Sequence, residues 1–263
     1  MNEATTADAR SHKIVTDIVV GLKEIIRRHQ VTMPEFREAV SYIRNVVQDG
    51  ELELLTAVLF EATVDEASID SLDATASNVE GPFYVAGAPM LDGATPALPT
   101  RADEPGKQLT FSGTVRSTDG RPLVSALVDV WQADDAGLYS QFAPGIPEWN
   151  LRGRVRTDEE GRFAFRSVVP APYDIPGLPH TARLLDVLGL EPHRPAHVHL
   201  KIAAAGHRDL TTQVYFAGDP WLEHDVVGAA KPSLVTELRD VPGAERSDRA
   251  CTFDFVLAPA DSG

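Results

Sequence analysis

Cysteine is almost missing from this chain. Cys251 is the only one in 263 residues, so no intrachain disulfide can form and no cysteine-based metal cluster can be built. Such scarcity suits a reducing compartment, and a cytoplasmic location is expected. Positive charge is also sparse. Lys and Arg total 24 against 39 Asp and Glu, and the net charge is -15. The basic residues form no stripe, so a nucleic-acid partner, which needs concentrated cations to hold phosphate, is not expected. No apolar run reaches the roughly 20 residues of a membrane-spanning helix. Met1 to Arg10 holds Glu3 and Asp8 and lacks the apolar core of an export signal. What is present is 43% apolar residues, enough to bury a sizeable core as one domain, or as one domain with a helical appendage.

The chain divides by periodicity. From about Thr6 to His29, Ile14, Val15, Ile18, Val19, Leu22, Ile25 and Ile26 follow helical spacing. Thr32 with Glu35 three residues later is a capping-box pattern, and Pro34 sits where a first helical turn tolerates it. A second helix is therefore expected there, with Phe36, Val40, Ile43 and Val47 on one face and a stop near Asp49-Gly50. Leu52, Leu55, Val58, Leu59 and Ala62 suggest a third. Ser, Asp, Gly and Pro then break the pattern. The expected division is a helical region over 1–64, a connector over 65–106 and a β-domain over 107–263.

In the third region strands are expected over Leu109–Val115, Leu123–Gln132, Arg152–Thr157, Arg162–Val169, His197–Ala203, Leu210–Phe216 and Thr252–Leu257. Asp158-Glu159-Glu160-Gly161 reads as a short hairpin loop. Short strands with regular turns point to an antiparallel sandwich or barrel. Two long irregular segments, Ala133–Asn150 and Pro170–Arg194, interrupt them, and such loops commonly carry sites. They hold Tyr139 and Tyr173.

The most informative stretch is Arg194-Pro195-Ala196-His197-Val198-His199-Leu200-Lys201-Ile202. Val198, Leu200 and Ile202 alternate with His197, His199 and Lys201, the period-2 mark of a half-buried strand. On a strand both imidazoles share one face and can share a metal ion. By themselves they leave the metal open among zinc, copper, iron and nickel.

Together with Glu80–Pro89, Asp129-Val130-Trp131-Gln132 through Tyr139, Pro170–Pro176 and Thr211-Thr212-Gln213, this stretch resembles the intradiol ring-cleaving dioxygenases, closest to the catechol 1,2-dioxygenase group. The resemblance implies a β-sandwich catalytic domain behind an N-terminal helical dimerisation region, a homodimer, and room for a bound lipid between the helices. It implies Fe(III) held by Tyr139, Tyr173, His197 and His199, with Arg194 and Gln213 beside the bound ring and Tyr173 leaving the metal as substrate arrives. Phenolates are hard anionic donors and suit a ferric ion. The implied substrates are a small aromatic diol and O2. Oxygen enters between the hydroxyl-bearing carbons, and the resulting anhydride is hydrolysed to a cis,cis-muconate.

By position in the family motifs, Leu54, Ala57, Val79, Pro82, Phe83, Ile175, Val226 and Val227 would wall an apolar slot. Tyr139-Ser140-Gln141-Phe142-Ala143-Pro144 and Tyr84-Val85-Ala86-Gly87 resemble the plain catechol enzymes. Thr63-Val64-Asp65 and Lys231-Pro232-Ser233-Leu234 are also similar to chlorocatechol enzymes. Ala57 stands where many relatives carry a carboxylate, which should weaken any preference for a third ring hydroxyl, as in hydroxyquinol. Two other readings remain: a non-catalytic β-sandwich binding module, and an Fe(II) or Zn(II) enzyme pairing the histidines with a carboxylate such as Asp174.

Overall fold

The computed structural model describes residues 3–67, 73–241 and 248–260, so part of the expected connector, residues 68–72, lies outside the described residues. Two compact units are present, 1–51 and 52–263. The first contains α1 (Glu3–Arg28) and α2 (Met33–Gln48). The expected capping box starts α2: the Thr32 N–H donates to Glu35 Oε2 at 2.7 Å, and the Glu35 N–H donates to Thr32 Oγ1 at 3.5 Å. Ile14, Ile18, Leu22 and Ile25 form the apolar stripe of α1 yet stay between 45% and 56% exposed. Phe36, Ile43 and Val47 of α2 are exposed as well. No helix among the described residues is long and apolar enough to cross a membrane.

The second unit opens with the expected third helix. This helix runs as α3 (Leu52–Thr56), widens into a π-helical turn over Ala57–Glu61, and continues as α4 (Ala62–Ala67). Single π turns inside helices often lie at functional sites. After it come β1 (Gln108–Ser117), β2 (Leu127–Gln132), β3 (Arg152–Arg156), β4 (Arg162–Val168), β5 (Tyr173–Asp174), α5 (Pro179–Leu188) and β6 (His193–Arg194). The chain ends with β7 (His197–Ala203), β8 (Leu210–Phe216), β9 (Val235–Thr236), β10 (Arg239–Asp240), β11 (Arg249–Thr252) and β12 (Phe255–Leu257). One sheet has the order β3-β2-β7-β8-β9. In the other, β1 lies centrally, paired with β4, β11 and β12, and β10 extends it beyond β11. Phe111, Val115, Phe165 and Phe255 of one sheet meet Val128, Val130, Val198, Leu200 and Val214 of the other in a single buried core.

The β-sandwich is as expected, but several details differ. The sheets are mixed rather than antiparallel, because β1 pairs parallel to β11 and β12, and β8 parallel to β9. Alternation along a strand carries no information about its partner's direction. Nor is the Asp158–Gly161 turn a hairpin. β3 pairs with β2 and β4 with β1, so that turn carries the chain from one sheet to the other. β2 starts only at Leu127, since Ser125 takes a left-handed φ of 57° and bends the chain. The segment expected to be irregular over Pro170–Arg194 contains α5. Pro179 sits in its first turn and Gly189 ends it in the left-handed region, two positions where punctuation residues delimit a helix rather than forbid one.

Candidate metal centre

β7 separates core from chemistry by its pleat. Val198, Leu200 and Ile202 are fully buried between the sheets, while His197 and His199, each 1% exposed, lie on the opposite face under the irregular loops. Strand register then chooses their neighbours. Trp131 lies opposite His199, His199 opposite Gln213, and His197 opposite Tyr215, and cross-strand partners share a face. The His199 ring stacks on Trp131 with centroids 4.6 Å apart and an interplanar angle of 9°.

Loops supply the two phenols. After β2 the Asp134 carboxylate accepts the backbone N–H groups of Ala136 and Leu138, both at 2.9 Å, folding the turn that leads to Tyr139. Buried Arg152 holds the next residue, Ser140, with Nε 2.7 Å from its Oγ and Nη2 3.0 Å from its carbonyl. Tyr173 arrives on β5, which pairs with β6 so that Tyr173 lies opposite Arg194. The two loops touch at Gly137, whose φ is +77° and where a Cβ would lie 2.6 Å from that of Tyr173. Only glycine meets both demands.

Four potential donors converge. The His197 and His199 Nε2 atoms are 3.0 Å apart, and the Tyr139 phenol oxygen is 3.4 Å from His197 Nε2. The Tyr173 ring lies 5.5 Å from that of Tyr139 and 5.7 Å from that of His197. The His197 tautomer is fixed, since its Nδ1 lies 2.7 Å from the Pro195 carbonyl, an acceptor only. Nδ1 therefore carries the proton and Nε2 presents a lone pair to the centre, the support usual for a ligating histidine. His199 Nδ1 is buried without a protein partner. Two imidazoles and two phenols pointed at one place fit a hard, oxidised metal ion better than a packing role.

The carboxylate alternative lacks its third donor. Among the described residues no group of three or more His, Cys, Asp or Glu side chains could hold a metal, and the Asp174 carboxylate pairs with His193 on the surface.

Burial pushes the His197 pKa down to about 3, helped by the Arg194 cation, and drives His199 well below the usual range, helped by His197 and Arg194. Both imidazoles are thus neutral, as ligation requires. Burial, and then Tyr173, push the Tyr139 phenol well above 10. The depressed imidazoles set a pH dependence. Unfolded histidine titrates near about 6.5, so below that pH the unfolded chain takes up protons that the fold refuses. Stability of the metal-free protein is expected to be full above about pH 6.5 and to fall towards pH 3, by about 1.4 kcal/mol per pH unit for each imidazole. Urea unfolding at stepped pH measures this slope.

Arg194 is held from several sides. Its Nη2 donates to Gln213 Oε1 at 3.0 Å, to the Tyr215 hydroxyl at 3.2 Å and to Asp225 Oδ2 at 3.1 Å, and its Nε donates to Asp225 Oδ1 at 3.0 Å. The remaining arm, Nη1, lies 3.5 Å from His197 Nε2. Burial opposes the guanidinium charge, but Tyr215, Asp225 and Tyr173 keep it firmly protonated. Gln213 is fixed in turn, donating to the Val79 carbonyl at 2.7 Å and accepting the Tyr215 hydroxyl at 2.7 Å.

Residues 79–259 match the family described as dioxygenase, and residues 8–74 match the catechol dioxygenase N terminus. The chain belongs to the intradiol ring-cleaving dioxygenases. It is 39% identical over 253 residues to chlorocatechol 1,2-dioxygenase of Rhodococcus opacus, covering 95% of this chain and 98% of that protein. It is 43% identical over 237 residues to catechol 1,2-dioxygenase 2 of Acinetobacter lwoffii, covering 88% of this chain and 86% of that one. The solved 3-chlorocatechol 1,2-dioxygenase from Rhodococcus opacus 1CP superposes with a TM-score of 0.89 at 35% identity, over 96% of this chain and 99% of that chain.

Within this dioxygenase, Leu54, Ala57, Val79, Pro82, Phe83, Ile175 and Val227 line a slot that also borders Val58, Glu61, Gly81, Tyr173, Pro176 and Arg194. Phe83 stacks on Tyr139 with centroids 4.4 Å apart, joining slot to centre. Val226 does not line the slot. It packs in one buried cluster with Val58, Ile175 and Leu185, against which Leu54 and Val227 also pack. A wider cleft, lined by Met90, Arg156 and Asp254, shares no residue with the slot and holds none of the four donors.

Sequence reasoning missed Tyr215, Asp225 and Glu61. Tyr215 lies two residues beyond Gln213 on β8, so strand periodicity could have found it. Asp225 and Glu61 carry no such signal.

Proposed function

We propose that Tyr139, Tyr173, His197 and His199 bind Fe(III), and that the chain uses O2 to cleave a catechol between its two hydroxyl-bearing carbons, giving a cis,cis-muconate. The observation that carries this reading is the meeting of two phenols and two neutral imidazoles at the inner end of an apolar slot. The ion would ionise the phenols and, as a Lewis acid, stabilise the bound diol in its deprotonated form, which is electron-rich enough to react with O2.

The protein's part is orientation, charge and exclusion of water. Tyr139 is 3% exposed and packed against Phe83, suiting a permanent ligand. Tyr173 is half-buried and borders the slot, where its phenol oxygen can take a proton from an entering substrate hydroxyl. Arg194 presents a fixed cation beside His197, placed to stabilise negative charge developing on the ring oxygens, and Gln213 keeps it aimed. The apolar lining, which includes Val79, Pro82 and Ile175, would pack on the ring and keep out bulk water.

Unsubstituted catechol is the main substrate of this reading. Chlorocatechol is supported to a similar degree, because the relatives at 39% and 43% identity carry those two names. The exposed apolar stripes of α1 and α2 are of the kind that association covers, which supports a homodimer formed through these helices.

The test is the visible spectrum of the purified, iron-loaded protein, repeated after anaerobic addition of catechol. A phenolate-to-iron charge-transfer band that shifts to longer wavelength with catechol is expected. A protein that stays colourless after iron reconstitution would overturn the reading.

A further inference from the structure

Among the described residues that line the slot one is acidic, and it is in an unusual electrostatic position. Glu61 closes the π-helical turn of Ala57–Glu61, one turn beyond Ala57, and both residues border the slot. Two carboxylates nearby are neutralised locally. Glu80 pairs with Lys201 at 2.6 Å, and Asp65 with Lys231. Glu61 makes no ion pair among the described residues. Partial burial raises its pKa, with the Glu80 and Asp65 charges adding to the rise, while the nearby backbone N–H of Glu80 and the charge of Arg194 oppose it. A carboxylate offers about four acceptor sites, so most of this one's capacity is left for the slot.

We propose that Glu61 is a specificity-determining residue that selects catechols whose ring substituent donates a hydrogen bond, a hydroxyl or an amino group, and rejects anionic substituents. This rests on the ring-cleaving function proposed above and refines its substrate class. A donor substituent gains a charge-assisted hydrogen bond in a water-poor slot. Chlorine offers no donor, and a carboxylate substituent beside Glu61 meets a like charge, because the one cation bordering the slot among the described residues, Arg194, is already paired with Asp225.

The experiment compares kcat/KM for hydroxyquinol, 4-chlorocatechol and 3,4-dihydroxybenzoate, each relative to catechol, in the iron-loaded wild type and the Glu61→Leu and Glu61→Gln variants. Glu61→Leu is expected to lower the hydroxyquinol-to-catechol ratio by roughly tenfold to hundredfold, the worth of one hydrogen bond to a charged group. Glu61→Gln keeps an acceptor for the Glu80 N–H and removes the charge. It is expected to raise the 3,4-dihydroxybenzoate-to-catechol ratio, and it serves alone if the leucine variant does not fold. Ratios that stay within twofold of wild type in the folded variants would overturn the role of Glu61 while leaving ring cleavage intact. A wild type that consumes no O2 with any of the four catechols would remove the underlying function, and this proposal with it.

Discussion

Tyr139→Phe is expected to cost more than about a hundredfold in kcat/KM, while leaving the metal-free protein as stable as the wild type. The catalytic estimate follows from hierarchy, since even groups that only support a metal ligand cost roughly 10–100-fold when removed. Stability should move little because the ring does the packing. It stacks on Phe83 and lies edge-on to Tyr173, and phenylalanine keeps both contacts. The hydroxyl, whose pKa is raised by burial and then by Tyr173, makes a long 3.4 Å contact to His197. A buried polar group so weakly satisfied adds little to folding. Iron content, the charge-transfer band and oxygen uptake would be measured beside thermal unfolding. Full activity in the folded variant would remove Tyr139 from the ligand set, whereas a large loss of Tm would make it a packing residue.

Asp225→Ala is expected to damage both stability and turnover. Arg194 and Asp225 have side chains only 4% and 2% exposed, and the aspartate accepts from both Nε and Nη2 of the arginine. Burial opposes the carboxylate's charge, but Arg194 outweighs it and holds the pKa below the usual range. Removing one partner of such a pair strands the other charge, which costs about 3–5 kcal/mol, or roughly 10 °C in Tm for a domain of this size. Asp225 also accepts the backbone N–H groups of Val227 at 3.3 Å and Ala229 at 3.1 Å, so the same change loosens the slot wall at Val227. Arg194 would then lose its aim beside His197. A fall in kcat of about 10²–10³ is expected, the usual cost of one preorganised charge-stabilising donor. Asp225→Glu should recover part of both losses. A variant with wild-type kcat, measured well below its Tm, would show that Arg194 needs no such clamp.

Much of this protein was legible from short-range pattern. The capping box at Thr32 and Glu35, the helical stripe of α1 and the alternation of β7 are fixed by residues a few positions apart, where helix and strand geometry leave few alternatives. The alternation alone put Val198, Leu200 and Ile202 on one face and both histidines on the other. The resemblance then named Tyr139 and Tyr173, which spacing could not connect to those histidines.

What the tertiary structure decided was partnership across distance. The Asp158–Gly161 turn reads locally as a hairpin, but it joins two sheets, because β2 and β1 offer better partners than β3 and β4 offer each other. α5 is hidden among prolines that frame it. Asp225 lies 31 residues from Arg194, in a loop with no periodicity, and only the folded chain brings its carboxylate to the guanidinium. Glu61 reads as one more polar position on an amphipathic helix until the slot forms beside it. The sequence by itself determined the elements and the faces they present, since backbone sterics act between near neighbours. The tertiary structure determined which faces meet, because burial and charge pairing depend on residues that the chain keeps far apart.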